Sequence, residues 1–254
     1  MIAFFILLLG LAVGSFLNVV IYRLPEGLSI VKPRSRCPAC AHELKPWENI
    51  PVLSYALLRG KCSQCGVRIS FRYPLIELLT GIIFLLFYWR FGIGVDLIVY
   101  LFFICLVIAI TFIDIDLQII PNILLMIGLI PAVYPMFRDG WPAAIHYLIG
   151  AVSMGLFFYL IGVLGKLAFK QDAMGMGDVK YAIVYGLLLG WKEGILVTGL
   201  GFLSSALLIV ILMPFSRVTF GQRLPFGPFL SLGILITIMR GHEIISWYTG
   251  FLGY

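Results

Sequence analysis

Apolar stretches recur along this chain, several of them about 20 residues long and so able to carry an α-helix across the ~30 Å hydrocarbon core of a bilayer. The first runs from Met1 to Tyr22. Seven more are expected at Tyr73 to Trp89, Val95 to Ile113, Ile119 to Met136, Ala143 to Gly165, Val179 to Gly190, Gly194 to Met213 and Pro228 to Met239. With 61% hydrophobic and only 12% charged residues among 254, the chain has too little polar surface to cover a water-soluble core. The span beginning at Val179 is short, and Gly190-Trp191 follows it, which suits a broken or tilted helix. Repeats and low-complexity tracts are absent from the sequence.

The formal net charge of +6 would suggest a nucleic-acid partner in a soluble domain. Here the basic residues sit in short loops between apolar spans, where they set orientation, so the expected surroundings are a lipid bilayer and not nucleic acid. No basic segment precedes the first apolar stretch, and Arg23, Lys32, Arg34 and Arg36 follow it, which predicts an uncleaved anchor with its N-terminus outside. Eight spans threaded from there put residues 24–72, 114–118, 166–178 and 214–227 on the cytoplasmic side. Of the 18 lysines and arginines, only Arg90, Arg138, Lys192 and Arg240 then fall outside; Arg217 and Arg223 are among those inside. That bias supports the topology.

Between Leu24 and Arg72 the composition changes, with several prolines and no spanning run. Cys37-Pro-Ala-Cys40 and Cys62-Ser-Gln-Cys65 are two C-x-x-C turns whose spacing lets four thiolates converge on one tetrahedral ion. Zinc is the expected occupant, in a structural role because four sulfurs leave no open position for water. Two disulfides would need an oxidising compartment, whereas the charge bias puts this loop in the reducing cytosol; an iron site of rubredoxin type uses the same geometry. A segment with so few large apolar side chains depends on the metal for most of its folding free energy. Cys105, mid-span, reads as a small buried apolar residue. The expected fold class is therefore all-α: a polytopic integral membrane protein of about eight transmembrane helices with a small cytoplasmic zinc-binding loop domain.

Ionisable residues at membrane depth are costly unless they face a cavity or a partner, so each is a candidate for function. Two places stand out, Asp114-Ile-Asp116 at the end of the third span and Asp178 in Gly175-Met-Gly177-Asp178 at the start of the sixth, both at the same membrane face. Two carboxylates brought together cannot both ionise easily; one keeps a proton while the other is basic enough to deprotonate water, as peptide hydrolysis requires. The glycines before Asp178 let backbone or substrate come close. Pro121-Asn122 marks a restart of helix after the first pair. The plainer alternative is that these aspartates cap helix ends. Glu77 reads most simply as half of an ion pair near the interface, or as a second lining of the same cavity.

With those residues in place, the chain resembles the type IV prepilin peptidases, the leader peptidase and N-methyltransferase enzymes of pilus and type II secretion systems. The resemblance begins at Gly14-Ser-Phe-Leu-Asn18-Val-Val-Ile-Tyr-Arg23-Leu-Pro25 and continues through Ser35-Arg-Cys37-Pro-Ala-Cys40-Ala-His42 and Trp47-Glu48-Asn49-Ile-Pro51. Cys62-Ser-Gln-Cys65 and Ile69-Ser-Phe-Arg72-Tyr-Pro74-Leu-Ile-Glu77 follow, then Asp114-Ile-Asp116 with Pro121-Asn122, and Gly175-Met-Gly177-Asp178-Val-Lys180, which is similar to the G-x-G-D of that protease class. Beyond Lys180 the likeness is hydropathy alone.

The resemblance implies that Asp178 is one catalytic aspartate and that the other belongs to the Asp114-Ile-Asp116 pair. Asp114, seven residues before Pro121, is chosen, with Asp116 as fallback. It implies prepilin and pseudopilin precursors as partners, and N-methylation of the new N-terminal residue by S-adenosylmethionine. No Rossmann-type glycine loop marks a methyl-donor site, which leaves the cytoplasmic loop as the candidate region. The expected organisation is a first transmembrane helix over 1–23, the zinc-binding loop over 24–72 and a membrane-embedded aspartic peptidase over 73–254. A proton-coupled transporter and a non-catalytic zinc scaffold are the alternatives. The transporter would want carboxylates near the bilayer midplane and discontinuous helices in symmetric halves.

Overall fold

In hydrocarbon a backbone must satisfy its own N–H and C=O groups, so apolar sequence of this length folds as helix. The computed structural model describes residues 1–170, 174–213 and 224–251, and within them each expected span is helical over most of its length. The helices are α1 Ile2–Arg23, α2 Leu53–Leu57, α3 Arg72–Phe91, α4 Val95–Leu117, α5 Asn122–Ala132, α6 Tyr134–Arg138, α7 Trp141–Phe169, α8 Met176–Leu189, α9 Trp191–Leu212 and α10 Gly227–Phe251. Arg217 and Arg223, and parts of the 166–178 and 214–227 connections, lie outside the described residues.

Six of these helices, α1, α3, α4, α7, α9 and α10, are long and apolar enough to cross a membrane. The other two expected spans are shorter for visible reasons. The segment Asn122–Arg138 breaks between α5 and α6, where Pro131 lies inside α5 and Pro135 opens α6; each proline removes a backbone donor and crowds the preceding turn. Helix α8 has 14 residues, about 21 Å at 1.5 Å per residue, and ends at Gly190, whose φ of +87° a residue with a Cβ adopts only under strain.

The chain divides into two units, Met1–Ala109 and Ile110–Tyr254. In the first, α1 packs along α3 at backbone distance: a Cβ on Gly14 would sit 2.7 Å from the Glu77 Cα. Small residues at such a crossing let two helices associate in lipid, where no hydrophobic effect drives them together. The Asn18 side-chain amide donates to the Tyr73 carbonyl at 3.1 Å, joining the end of α1 to the start of α3.

In the second unit α8 is the most enclosed element. It packs on α5, α7 and α9. The Tyr181 and Tyr185 rings are fully buried, and their hydroxyls bond Ser231 of α10 at 3.0 Å and Thr198 of α9 at 2.7 Å. A helix held by protein on so many sides does not need the length of one that faces lipid. Elsewhere large apolar side chains such as Val152 and Leu203 are two-thirds exposed, which suits acyl chains rather than water.

Candidate active site and metal centre

The two aspartate motifs are far apart in sequence and together in the second unit. Asp114 sits near the end of α4, 5% exposed, and its Oδ2 accepts the Gly227 N–H at 2.9 Å. That donor is free to bond outward because Gly227 opens α10, and the first N–H groups of a helix have no partner within it. Gly227 must be glycine-sized: a Cβ there would come within 2.7 Å of the same oxygen.

Asp178 lies in the first turn of α8, half-buried, its own N–H turned back to the Gly175 carbonyl at 3.1 Å. Its carboxylate and that of Asp114 are close enough to act on each other through space, and Tyr181, one turn further along α8, feels both. The α8 start is pinned against the turn after α4 by two contacts. A Cβ on Gly177 would meet the Ile120 side chain at 3.0 Å, and the Lys180 ammonium donates to the Asn122 side-chain carbonyl at 2.8 Å. Helix α5 restarts at Asn122 with Pro121 as its extended N-cap, as the Pro-Asn pair predicted.

Asp116, two residues past Asp114, is exposed. The geometry therefore separates the two members of the earlier pair: one is enclosed and bonded to a helix N-terminus beside Asp178, the other faces out. A buried carboxylate within electrostatic reach of a half-buried one is an arrangement able to share a proton and activate water.

The four loop cysteines also meet. The Sγ atoms of Cys37, Cys40, Cys62 and Cys65 all lie within 4.8 Å of one another, with Cys37–Cys65 at 3.8 Å and Cys40–Cys62 at 3.9 Å. A disulfide needs about 2.05 Å, whereas four sulfurs at about 2.3 Å from a tetrahedral zinc stand about 3.8 Å apart. The donor set thus fits a metal ion, and all four thiols are free.

The two turns are built alike. Cys37 N–H bonds the His42 carbonyl and Cys62 N–H the Val67 carbonyl, both at 2.9 Å, and each turn is closed by a short antiparallel bridge, Arg36 with Glu43 and Lys61 with Arg68. Backbone N–H groups of Cys40 and Ala39 draw the Cys37 thiol down to about 7, and those of Cys65 and Gln64 lower Cys62. At Cys40 the bond from the His42 backbone also lowers, but desolvation and the neighbouring thiols outweigh it and push the group to about 12. Four such groups become thiolates together only around a cation.

Glu48, buried in the turn Pro46–Asn49, clamps the two halves. It accepts the Lys45 N–H at 2.7 Å, faces the His42 Nε2 at 3.1 Å, and takes the Ser63 hydroxyl from the second turn. Those bonds, the Ser63 hydroxyl foremost, hold its carboxyl down at about 2.

One expectation changes. Glu77, read as half of an ion pair, instead accepts the Val52 N–H at 2.7 Å within the first unit. Cys105 lies on α4 as a free thiol of intermediate exposure. Gly227 and Asn122 were not singled out as partners of the aspartate motifs. Leu224-Pro225-Phe226-Gly227-Pro228 carries a helix-start signal, glycine with proline at the next position, but nothing in that signal names Asp114.

Comparison with known proteins agrees with these motifs. Residues 8–91 match the model of the bacterial peptidase A24 N-terminal domain, and residues 101–213 match that of the type IV leader peptidase family. The chain belongs to the type IV leader peptidase family. It is similar to a prepilin leader peptidase/N-methyltransferase of Pseudomonas putida, 34% identical over 99% of this chain and 96% of that one. A protein of the same description from Pseudomonas aeruginosa is 35% identical over 98% and 93%, and one from Bacillus subtilis 36% identical over 94% of each. No solved structure matches. Family membership and the six long apolar helices together make this a multi-pass inner-membrane protein, and none of these relatives supports the transporter reading.

Proposed function

We propose that this chain is an aspartic endopeptidase that removes the leader from type IV prepilins and pseudopilins at the cytoplasmic face of the membrane, then methylates the new N-terminal amine from S-adenosylmethionine. The observation that carries the reading is the convergence of Asp114 and Asp178 from distant stretches of chain onto one site. Asp114 is favoured over Asp116 by its enclosure and its bond to Gly227 N–H.

In this reading the precursor's basic leader stays in the cytosol while its apolar helix lies in the bilayer, so the scissile bond arrives at the interface. One aspartate takes a proton from water as its oxygen attacks the carbonyl carbon, and the other gives its proton to the carbonyl oxygen. Collapse of the tetrahedral species breaks the C–N bond; the first aspartate returns its proton to the leaving amine, and one hydroxyl of the tetrahedral species gives its proton back to the second as the new carboxyl group forms. The N–H of Gly227 holds Asp114 in place throughout and leaves its second oxygen for the substrate.

The cysteine cluster is assigned a structural zinc held by Cys37, Cys40, Cys62 and Cys65, which closes the loop over 24–72 and supplies no reacting position. We assign residues 1–23 to an anchor with its N-terminus outside and 73–254 to the peptidase. Incubating the purified chain with a prepilin, with and without S-adenosylmethionine, and weighing the products tests the whole reading. The expected products are the leader, the shortened pilin, and a pilin heavier by one methyl group only when the donor is present. An intact precursor after prolonged incubation would refute it.

A further inference from the structure

The first unit holds a half-open cavity of about 430 Å³ that the hydrolytic chemistry leaves unused. Its volume is in the range of small-molecule sites, about 300–1,000 Å³. It is bounded by the last turns of α1, the first turns of α3, α2 and the first cysteine turn.

Glu77 is the feature that needs explaining. Its carboxylate lines the cavity at 9% exposure and is bonded by the Val52 N–H and the Ser15 hydroxyl. A carboxylate offers about four acceptor positions, so two donors leave positions open toward the cavity, and a cationic group placed there would favour its ionised form. The Val52 donor is itself obtained by strain. Val52 sits at φ +62°, ψ −47°, the centre of a three-residue turn in which the Leu53 N–H bonds the Pro51 carbonyl at 2.6 Å. That turn hand is rare for any residue and worse for a β-branched one. Strain of this kind persists where a site depends on it.

The rest of the lining defines what the cation is attached to. Tyr22, Tyr55 and Tyr73 line the cavity, as do Arg23 and Arg34, with the Arg23 guanidinium donating to the Ser29 and Arg34 carbonyls. Ser15, which bonds Glu77, and Arg23 are eight residues apart on α1, about 12 Å along its axis. The cavity therefore has room for a ligand of that length with a cationic group near Glu77 and a flat ring system for the tyrosines.

We propose that this cavity binds S-adenosylmethionine, with Glu77 as the counter-charge to its sulfonium. The proposal rests on the methylation reading above and adds where the donor sits. The sulfonium supplies a test that charge alone decides, because S-adenosylhomocysteine has the same shape and a neutral sulfur.

Equilibrium binding of both compounds to the purified full-length chain is measured for the unaltered protein, for Glu77→Gln, and for Ser54→Trp, which fills the cavity from its wall. Zinc stoichiometry and melting temperature report folding. Removing one member of an enclosed charge pair should weaken S-adenosylmethionine at least about 30-fold, with S-adenosylhomocysteine weakened about threefold or less, while Ser54→Trp loses both. If the unaltered chain methylates a cleaved pilin peptide but both variants bind S-adenosylmethionine within about threefold of it, the cavity assignment alone is overturned. Equal weakening of the two compounds by Glu77→Gln overturns the role of Glu77. An unaltered chain that neither binds nor methylates overturns the methylation reading and this site with it.

Discussion

Gly227→Ala is a small change at a crowded point. The added methyl would lie 2.7 Å from Asp114 Oδ2 and 3.2 Å from its Cγ, where ordinary contact begins at 3.4 Å. The shortfall is about 0.7 Å. Backbone on one side and an enclosed carboxylate on the other share it, so the Gly227 N–H bond at 2.9 Å lengthens and the carboxylate turns away from Asp178. Misplacing a reacting group by an ångström costs on the order of 100-fold in rate, so a shift of this size should lower leader cleavage by about 10- to 100-fold. Single-turnover cleavage of a prepilin in detergent reads the effect, and melting temperature separates it from unfolding. Cleavage within about twofold of the unaltered rate in a folded variant would refute the argument that Gly227 positions Asp114.

Cys37→Ser, or treatment with a strong chelator, should remove the bound zinc and expose the backbone of 24–72 to hydrogen exchange, with helix content unchanged; exchange that stays slow in the metal-free protein would count against a metal-held loop. The folded value of Glu48 lies below its ordinary one, so its contribution to the loop is present above about 4.5 and is lost as pH falls through about 2. Glu48→Ala should therefore speed exchange in the cysteine turns at neutral pH, and unchanged exchange would remove its clamping role. Gly14→Leu forces α1 from α3 at a backbone contact and should destabilise the first unit by about 1–3 kcal/mol, seen as a lower melting temperature; no change would mean that the helices do not pack there.

The spans were legible because a helix in lipid needs only length and apolarity, and both are local. The cysteine cluster was legible because each C-x-x-C turn is local too, and Ala41 and Gly66 at positive φ close the two turns in the same way. The aspartate motifs could be found one at a time, but which of Asp114 and Asp116 turns inward is set by the rotation of α4 against its neighbours. The sequence of α4 is apolar on every side, so no periodicity reveals that rotation. The Asp114–Gly227 bond joins residues 113 apart, and a glycine at a helix start has many other uses. The length of α8 was hinted at by Gly190-Trp191, while the reason it can be short, its enclosure by α5, α7 and α9, is a tertiary fact. Glu77 was misjudged because an acidic residue in a span suggests a basic partner, and its actual donor is a strained backbone N–H from the loop.

The central claim is that Asp114 and Asp178 share one proton and together hydrolyse the leader bond. Single-turnover cleavage of one prepilin by Asp114→Asn, Asp178→Asn and Asp116→Asn, each shown to be folded and zinc-loaded, tests it most directly. The account predicts a loss of at least about 100-fold for each of the first two and a rate within about threefold of unaltered protein for Asp116→Asn. Near-normal cleavage by Asp114→Asn or Asp178→Asn would contradict it.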